Sequence, residues 1–100
     1  MIQSYSEKKL IQVLYLDDLE ENLINLENIL DDFPYHNFIH KNTWYYWKDE
    51  DFSSEDFANI YMKFYEEEGQ ILERHIPEYA EKLYDFFLQV KEKQLDIYVN

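Results

Sequence analysis

Residues 16–33 read LDDLEENLINLENILDDF, and this stretch sets the fold class that the sequence predicts. Its apolar residues follow one another at alternating steps of three and four, which places them on one side of a helix. They are Leu16, Leu19, Leu23, Leu26, Leu30 and Phe33. Carboxylates occupy the other side, and Pro34 ends the pattern. The stretch therefore predicts a strongly amphipathic helix with one buried face.

Two further helices are expected downstream. Ser53 or Ser54 is a suitable N-cap for a helix that ends at Gly69 or continues to the residue before Pro77. Its apolar residues are Phe57, Ile60, Tyr61, Phe64 and Tyr65. Pro77 suits the first turn of the last helix. The apolar residues of that helix are Tyr79, Ala80, Leu83, Phe86, Phe87 and Val90.

The N-terminal segment does not continue the apolar face of residues 16–33. Glu7 stands three residues after Ser4, a capping-box spacing that favours a first helix ending near Asp17. The alternative is a short buried strand over residues 11–16.

Two segments have strand character. Residues 35–48 are rich in aromatic side chains and predict a loop or a short β-hairpin that turns near Lys41 and Asn42. Residues 95–99 alternate as an edge strand would. The predicted fold is mainly α, a small bundle of three to four helices to which the hairpin and the edge strand are optional additions. An α+β fold is the alternative.

Composition limits the class of protein. One hundred residues predict a single domain over 1–100, and 46% hydrophobic residues are enough for a core. The formal net charge of -13 argues against nucleic acid or an anionic membrane as a direct ligand. The sequence has no Cys, which excludes disulfides and thiolate chemistry and favours a cytoplasmic protein. The longest apolar run is too short to cross a membrane.

Residues 13–30 resemble the opening strand, acidic pair and first helix of response-regulator receiver domains. That resemblance implies a magnesium-binding role for Asp17 and Asp18, beside a phosphate-accepting Asp on a later strand. The sequence after Phe33 has no matching hydrophobic strands, acceptor Asp or glycine-rich turns. The resemblance is therefore not extended to the function.

The sequence predicts neither an enzyme nor a cofactor. His36 and His40 are spaced as a metal-binding pair would be on a helix, but they follow Pro34, and Glu-x-x-His does not occur. The serines stand where helix caps are expected rather than in a nucleophile elbow. We expect no bound metal.

Uncompensated carboxylates are the first unusual feature. Residues 17–32 contain seven carboxylates and no Lys or Arg: Asp17, Asp18, Glu20, Glu21, Glu27, Asp31 and Asp32. A second group consists of Asp49, Glu50, Asp51, Glu55 and Asp56, and a third is Glu66, Glu67 and Glu68. Like charges three or four residues apart on a helix cost ~0.2–0.5 kcal/mol per pair, which indicates an external cation. Such carboxylates stand ~5–6 Å apart, near the spacing of phosphates along a nucleic-acid strand. The alternative is an ordinary solvated acidic surface.

Aromatic residues are the second unusual feature. Trp44, Tyr45, Tyr46 and Trp47 are consecutive and cannot all face inward. Tyr and Trp beside carboxylates suit the binding of Arg and often dominate protein interfaces. We therefore assign these four residues, with the first two acidic groups, to a partner-binding surface.

The expected function is inhibition of a basic, nucleic-acid-handling protein by a carboxylate-rich surface that mimics DNA. In composition the chain resembles phage anti-restriction and anti-CRISPR proteins. An immunity protein or antitoxin that neutralises a nuclease toxin is the first alternative. A structural helical oligomer paired through the leucine stripe is the second. A monomer and a homodimer are both compatible with the sequence.

Overall fold

The computed structural model describes residues 1–15, 19–30, 33 and 42–100, apart from the side chains of residues 19, 20, 22 and 23. Its described strands form one four-stranded antiparallel sheet. The elements in chain order are β1 (Ile2–Ser6), β2 (Lys9–Leu14), α1 (Leu19–Ile29), β3 (Thr43–Tyr45), α2 (Ser54–His75), α3 (Ala80–Lys93) and β4 (Asp96–Val99). The fold is α+β, so the predicted mainly α bundle is wrong.

A hairpin replaces the helix that the N-terminal segment predicted. β1 and β2 pair antiparallel from Ile2↔Leu14 to Ser6↔Lys9. Glu7 and Lys8 form the two-residue turn with φ of 49° and 67°, the left-handed backbone conformation that a tight two-residue hairpin turn favours at both positions. The Ser4–Glu7 spacing therefore does not cap a helix, because both residues belong to the hairpin.

The sheet has the strand order β2-β1-β4-β3. β4 lies between β1 and β3, so residues 95–99 contain an interior strand rather than the predicted edge strand. Among the described residues, β3 pairs with β4, which is distant in the sequence. Most of the predicted hairpin, residues 35–41, lies outside the described residues.

Helices α2 and α3 cover the inner face of the sheet. Ile2, Ile97 and Val99 have no exposed surface and join the core that these helices form. The amide of Gln12 donates to Ser4 Oγ at 3.0 Å and to the Phe86 carbonyl at 3.1 Å, which ties the sheet to α3. The long helices thus bury one side of the sheet only.

Helix α1 packs within the chain. Leu26, Leu30 and Phe33 are buried in the core. The Phe33 ring meets Phe57 edge-on, with 6.0 Å between the ring centroids, and Tyr61 at 6.4 Å. This part of the leucine stripe is therefore covered by α2, which removes it as a surface for pairing with a second copy.

Helix α2 begins as the sequence predicts and then passes Gly69. Ser53 is its N-cap, and the capping box with Asp56 is complete. The helix kinks at Glu68, whose φ and ψ are -141° and 39°, and continues to His75. Pro77 lies between α2 and α3, three residues before α3 begins, rather than in the first turn of the last helix. No helix in the described part of the chain is both long and apolar enough to span a membrane.

Ser53→Ala is expected to lower the free energy of unfolding by about 1 kcal/mol. The substitution removes the hydroxyl that accepts from the Asp56 N–H at 3.2 Å and donates to the Asp56 carboxylate at 3.0 Å. Urea denaturation followed by circular dichroism measures the loss. Ser53→Thr, which retains a hydroxyl that can both accept and donate, should recover most of it, whereas an equal loss in both variants would contradict the capping role.

Stability is expected to fall as the pH rises from about 10 to about 12. Burial raises the pKa of Tyr45 to about 12. Burial, followed by the charges of Tyr65 and Glu73, raises the pKa of Tyr61. The folded state therefore holds these protons more tightly than the unfolded state, and that contribution is complete below the unfolded pKa of about 10.

Phenolate absorbance and circular dichroism, recorded together against pH, measure this effect. Tyr45→Phe should reduce the alkaline loss of stability, while Tyr46→Phe, which changes an exposed ring, should leave it unaltered. Identical alkaline transitions in the two variants would show that burial of Tyr45 does not contribute.

Candidate functional site

The face of the sheet that points away from the helices is rich in apolar and aromatic side chains. We call it the outer face. Strand register places Val13, Gln3, Tyr98 and Trp44 in one row across the four strands. A second row holds Leu10, Tyr5 and Asp96. All of these side chains are exposed or half-buried, so none of the described helices covers the outer face.

Trp44 is the centre of an aromatic cluster on this face. Its ring centroid lies 4.6 Å from that of Tyr98 on the neighbouring strand β4, and 4.9 Å from that of Tyr5 on β1, the next strand beyond β4. Tyr46, just past the end of β3, stacks nearly parallel to Trp44 at 6.3 Å and 9°. The Tyr98 hydroxyl donates to Asn42 Oδ1 at 2.7 Å. Trp44 is nevertheless 41% exposed and Tyr46 is 53% exposed.

A cavity of about 420 Å³ opens beside this cluster, lined by Tyr5, Lys8, Trp44, Tyr46 and Asp96. Asp96 is half-buried, and its Oδ1 accepts the backbone N–H of Trp47 at 2.8 Å. This bond joins the start of β4 to the segment that follows β3. The cavity therefore has aromatic walls, one carboxylate held by the backbone and one lysine.

The second acidic group adjoins the outer face through Tyr46. The Ser54 N–H donates to the Tyr46 carbonyl at 2.8 Å, which closes the segment between β3 and α2 into a loop. Asp49, Glu50 and Asp51 lie in this loop, and all three are exposed. Tyr46, which lines the cavity, therefore also holds one end of the loop that carries these carboxylates.

The four consecutive aromatic residues separate into two kinds, because strand residues alternate between faces. Trp44 and Tyr46 lie on the outer face, while Tyr45 is only 9% exposed and meets Phe57 edge-on at 4.9 Å. Trp47 is half-buried against the core, and its buried indole N–H has no acceptor among the described residues. Tyr45 therefore does not lie on the predicted surface, and Trp47 lies there only in part.

Glu55 and Asp56, which the sequence assigned to the partner-binding surface, stabilise the start of α2. Both lie in the first turn of α2, where the helix dipole favours negative charge. The Asp56 carboxylate accepts from the Ser53 N–H at 2.9 Å. Asp56 is therefore occupied in capping the helix.

Within the first acidic group, the structure describes the side chains of Glu21 and Glu27, and neither belongs to this surface. Glu21 is exposed and Glu27 is half-buried on α1. Helix α1 packs on α2, which itself covers the inner face of the sheet. Neither Glu21 nor Glu27 lines the cavity on the outer face. Asp17, Asp18, Asp31, Asp32 and the side chain of Glu20 lie outside the described residues.

The third acidic group lies beside a pair of tyrosines. The rings of Tyr65 and Tyr84 are 4.5 Å apart. The Tyr84 hydroxyl donates to Glu66 Oε1 and the Tyr65 hydroxyl to Glu73 Oε1, each at 3.2 Å. Burial, together with these bonds to carboxylates, raises the pKa of both tyrosines. These polar groups already have partners within the chain, which makes the outer face the stronger candidate for binding.

Four residues of the site were missed by the sequence interpretation: Tyr5, Lys8, Asp96 and Tyr98. Tyr5 and Lys8 were missed because residues before Asp17 were assigned to a helix. The alternation of Asp96 and Tyr98 with buried Ile97 and Val99 is visible in the sequence. It could have placed both residues on the outer face, had β4 been recognised as an interior strand.

The described residues contain no group of three or more His, Asp or Glu side chains placed to hold a metal ion. His36 and His40 lie outside them. Comparison with protein-family models, curated proteins and solved structures gives no match to this chain. Its function is therefore inferred from the chemistry of its own surface.

Proposed function

We propose that the protein binds and blocks a basic, nucleic-acid-handling protein in the cytoplasm, and that it does so without catalysis. The observation that carries this proposal is the outer face, where exposed Trp44 and Tyr46 adjoin the carboxylates of Asp49, Glu50 and Asp51. Aromatic anchors beside a charged rim are the usual composition of a protein interface with strong hot spots.

Charge supports a basic partner. The chain carries 22 Asp and Glu against nine Lys and Arg, so its long-range field attracts positively charged surfaces. Three adjacent loop carboxylates can occupy positions that phosphates take in a basic nucleic-acid groove. The proposed surface therefore consists of the outer face with Asp49, Glu50 and Asp51, in place of the carboxylates of α1.

Capture on the immobilised protein tests this function. The protein should retain a basic nucleic-acid-binding protein from lysate of its source cells, and duplex DNA should displace that protein. Affinity of the purified pair should fall at least roughly tenfold between 50 and 300 mM salt, because the Debye length is ~10 Å at 0.1 M and shortens further.

A pair of triple variants separates a specific surface from net charge. Asp49→Asn/Glu50→Gln/Asp51→Asn should weaken capture strongly. Glu67→Gln/Glu78→Gln/Glu92→Gln removes the same charge from exposed positions elsewhere and should weaken it far less. Equal effects of the two triples, or capture that neither salt nor DNA alters, would contradict the proposal.

A further inference from the structure

We propose that the cavity on the outer face binds an arginine side chain of the partner, with the guanidinium stacked on Trp44 and hydrogen-bonded to Asp96. The inference rests on the proposed function in that it takes the partner to be a basic protein. It adds the chemical group that is recognised and the residues that recognise it.

The aromatic walls suit a cation. Tyr5 and Trp44 lie 4.9 Å apart with their planes tilted by 58°, so their rings form a concave corner rather than a flat surface. Tyr46 supplies a third ring, and all three line the cavity. The face of an aromatic ring attracts a cation, Trp most strongly, and arginine is the cation found there most often.

Asp96 supplies the second half of the recognition. It is the first residue of β4, an interior strand, and its Oδ1 is fixed by the Trp47 N–H at 2.8 Å. A carboxylate has about four acceptor positions on its two oxygens, so one backbone bond leaves capacity for a further donor. Because Asp96 is half-buried, its charge is less screened than that of a fully exposed carboxylate.

The combination favours arginine over other ligands. A guanidinium is flat, stacks on aromatic rings and presents parallel N–H donors to a carboxylate. A quaternary ammonium would use the rings but could not donate to Asp96. An anion would be repelled by Asp96 and by the neighbouring loop of residues 46–53.

Lys8 provides an internal check on the sign of the ligand charge. It is exposed in the β1–β2 turn and lines the cavity, where its ammonium opposes an incoming cation. Lys8→Gln should therefore tighten binding of an arginine ligand by roughly two- to fivefold, the size of a weak exposed charge interaction. If the cavity accepted an anion, the same substitution would weaken binding.

The test uses blocked tripeptides as probes, with the sequence acetyl-Gly-X-Gly-amide and X as Arg, Lys or Glu. The protein carries Trp47→Phe, which leaves Trp44 as its single tryptophan. Trp44 fluorescence and amide chemical shifts in NMR spectra follow each titration. We expect saturable binding of the Arg peptide in the millimolar range, at least threefold weaker binding of the Lys peptide and none of the Glu peptide.

Two variants identify the recognising groups. Asp96→Asn keeps an oxygen for the Trp47 N–H but loses the charge, and should weaken the Arg peptide roughly tenfold. Asn42→Gly removes the hydrogen bond to Tyr98 and tolerates the φ of 64° at this position, so it is the matched control and should change binding less than twofold. Amide spectra of each variant verify that the sheet is intact, and the Lys8→Gln result tests the cavity without altering the Asp96 contact.

Several results would overturn the inference. Equal affinity for the Arg and Lys peptides would do so, as would unchanged affinity for the Arg peptide after Asp96→Asn. Tighter binding of tetramethylammonium or of the Glu peptide would also do so. So would chemical-shift changes that are confined to residues outside the cavity. Self-association through the outer face, detected by sedimentation, would assign the cavity to a second copy instead. If the Arg peptide does not bind but DNA still displaces a captured partner, the arginine site is refuted and the proposed function stands. If the Arg peptide binds but no partner is captured in competition with DNA, the proposed function is refuted and the arginine site stands.

Discussion

Phe57→Ala is expected to lower the free energy of unfolding by about 3–5 kcal/mol. Phe57 has no exposed surface. Its ring meets Phe33 at 6.0 Å, Tyr45 at 4.9 Å and Phe52 at 5.3 Å. These three rings belong to the end of the α1 segment, to β3 and to the loop before α2. The truncation therefore leaves a cavity where three parts of the chain meet.

Phe64→Ala is the matched control, because it makes the same substitution on the same helix. Phe64 belongs to the same apolar pattern of the helix as Phe57, but its ring is only half-buried. The expected loss is about 1–2 kcal/mol, in proportion to the apolar area removed. Urea denaturation measures both, and Phe57→Leu provides a milder truncation if the alanine variant does not fold. Equal losses at positions 57 and 64 would contradict the central place of Phe57.

The long helices could be predicted because their signals are local. Ser53 with Asp56 gives a capping box, and the apolar residues of α2 and α3 recur at helical spacing. The buried side chains of α3 are the predicted ones, Ala80, Leu83, Phe86, Phe87 and Val90. Such elements require no knowledge of distant contacts.

The N-terminal hairpin could not be predicted in the same way. Its turn consists of Glu7 and Lys8, both with positive φ, whereas the usual sequence signal for that turn contains Asn or Gly. A fully buried Ser4 interrupts the apolar pattern of β1, and its hydroxyl is satisfied by Gln12 from the next strand. Pairing across the hairpin thus outweighed the local spacing that favours a helix.

The sequence predicted which kinds of side chain form the candidate site, but it identified only some of the residues. Exposed aromatic side chains next to carboxylates were expected, and Trp44 and Tyr46 have that exposure. Which of the four consecutive aromatic residues face outward depends on the pairing of Trp44 with Tyr98, residues far apart in the sequence. Tyr5 and Asp96 reach the same cavity through the pairing of β1 with β4. A pattern read along the chain does not contain this information.

Trp44→Ala is expected to weaken partner binding by about 30- to 1,000-fold, the range of an aromatic hot spot worth ~2–4 kcal/mol. Trp44 is the most central aromatic ring of the outer face, since it touches Tyr5, Tyr46 and Tyr98. Its removal should lower the free energy of unfolding by only about 1 kcal/mol, because the cross-strand pair with Tyr98 lies on an exposed side of the sheet.

Trp47→Phe is the control for this prediction. Trp47 packs against the core and buries an indole N–H that has no acceptor in the described part of the chain, so phenylalanine retains the packing without the unsatisfied donor. Affinity for the captured partner should change less than about threefold. Thermal unfolding and surface binding of both variants, measured in the same buffer, separate the two roles. A Trp44 variant that loses stability as severely as Phe57→Ala, or that binds as tightly as the unmodified protein, would show that the outer face is not the binding surface.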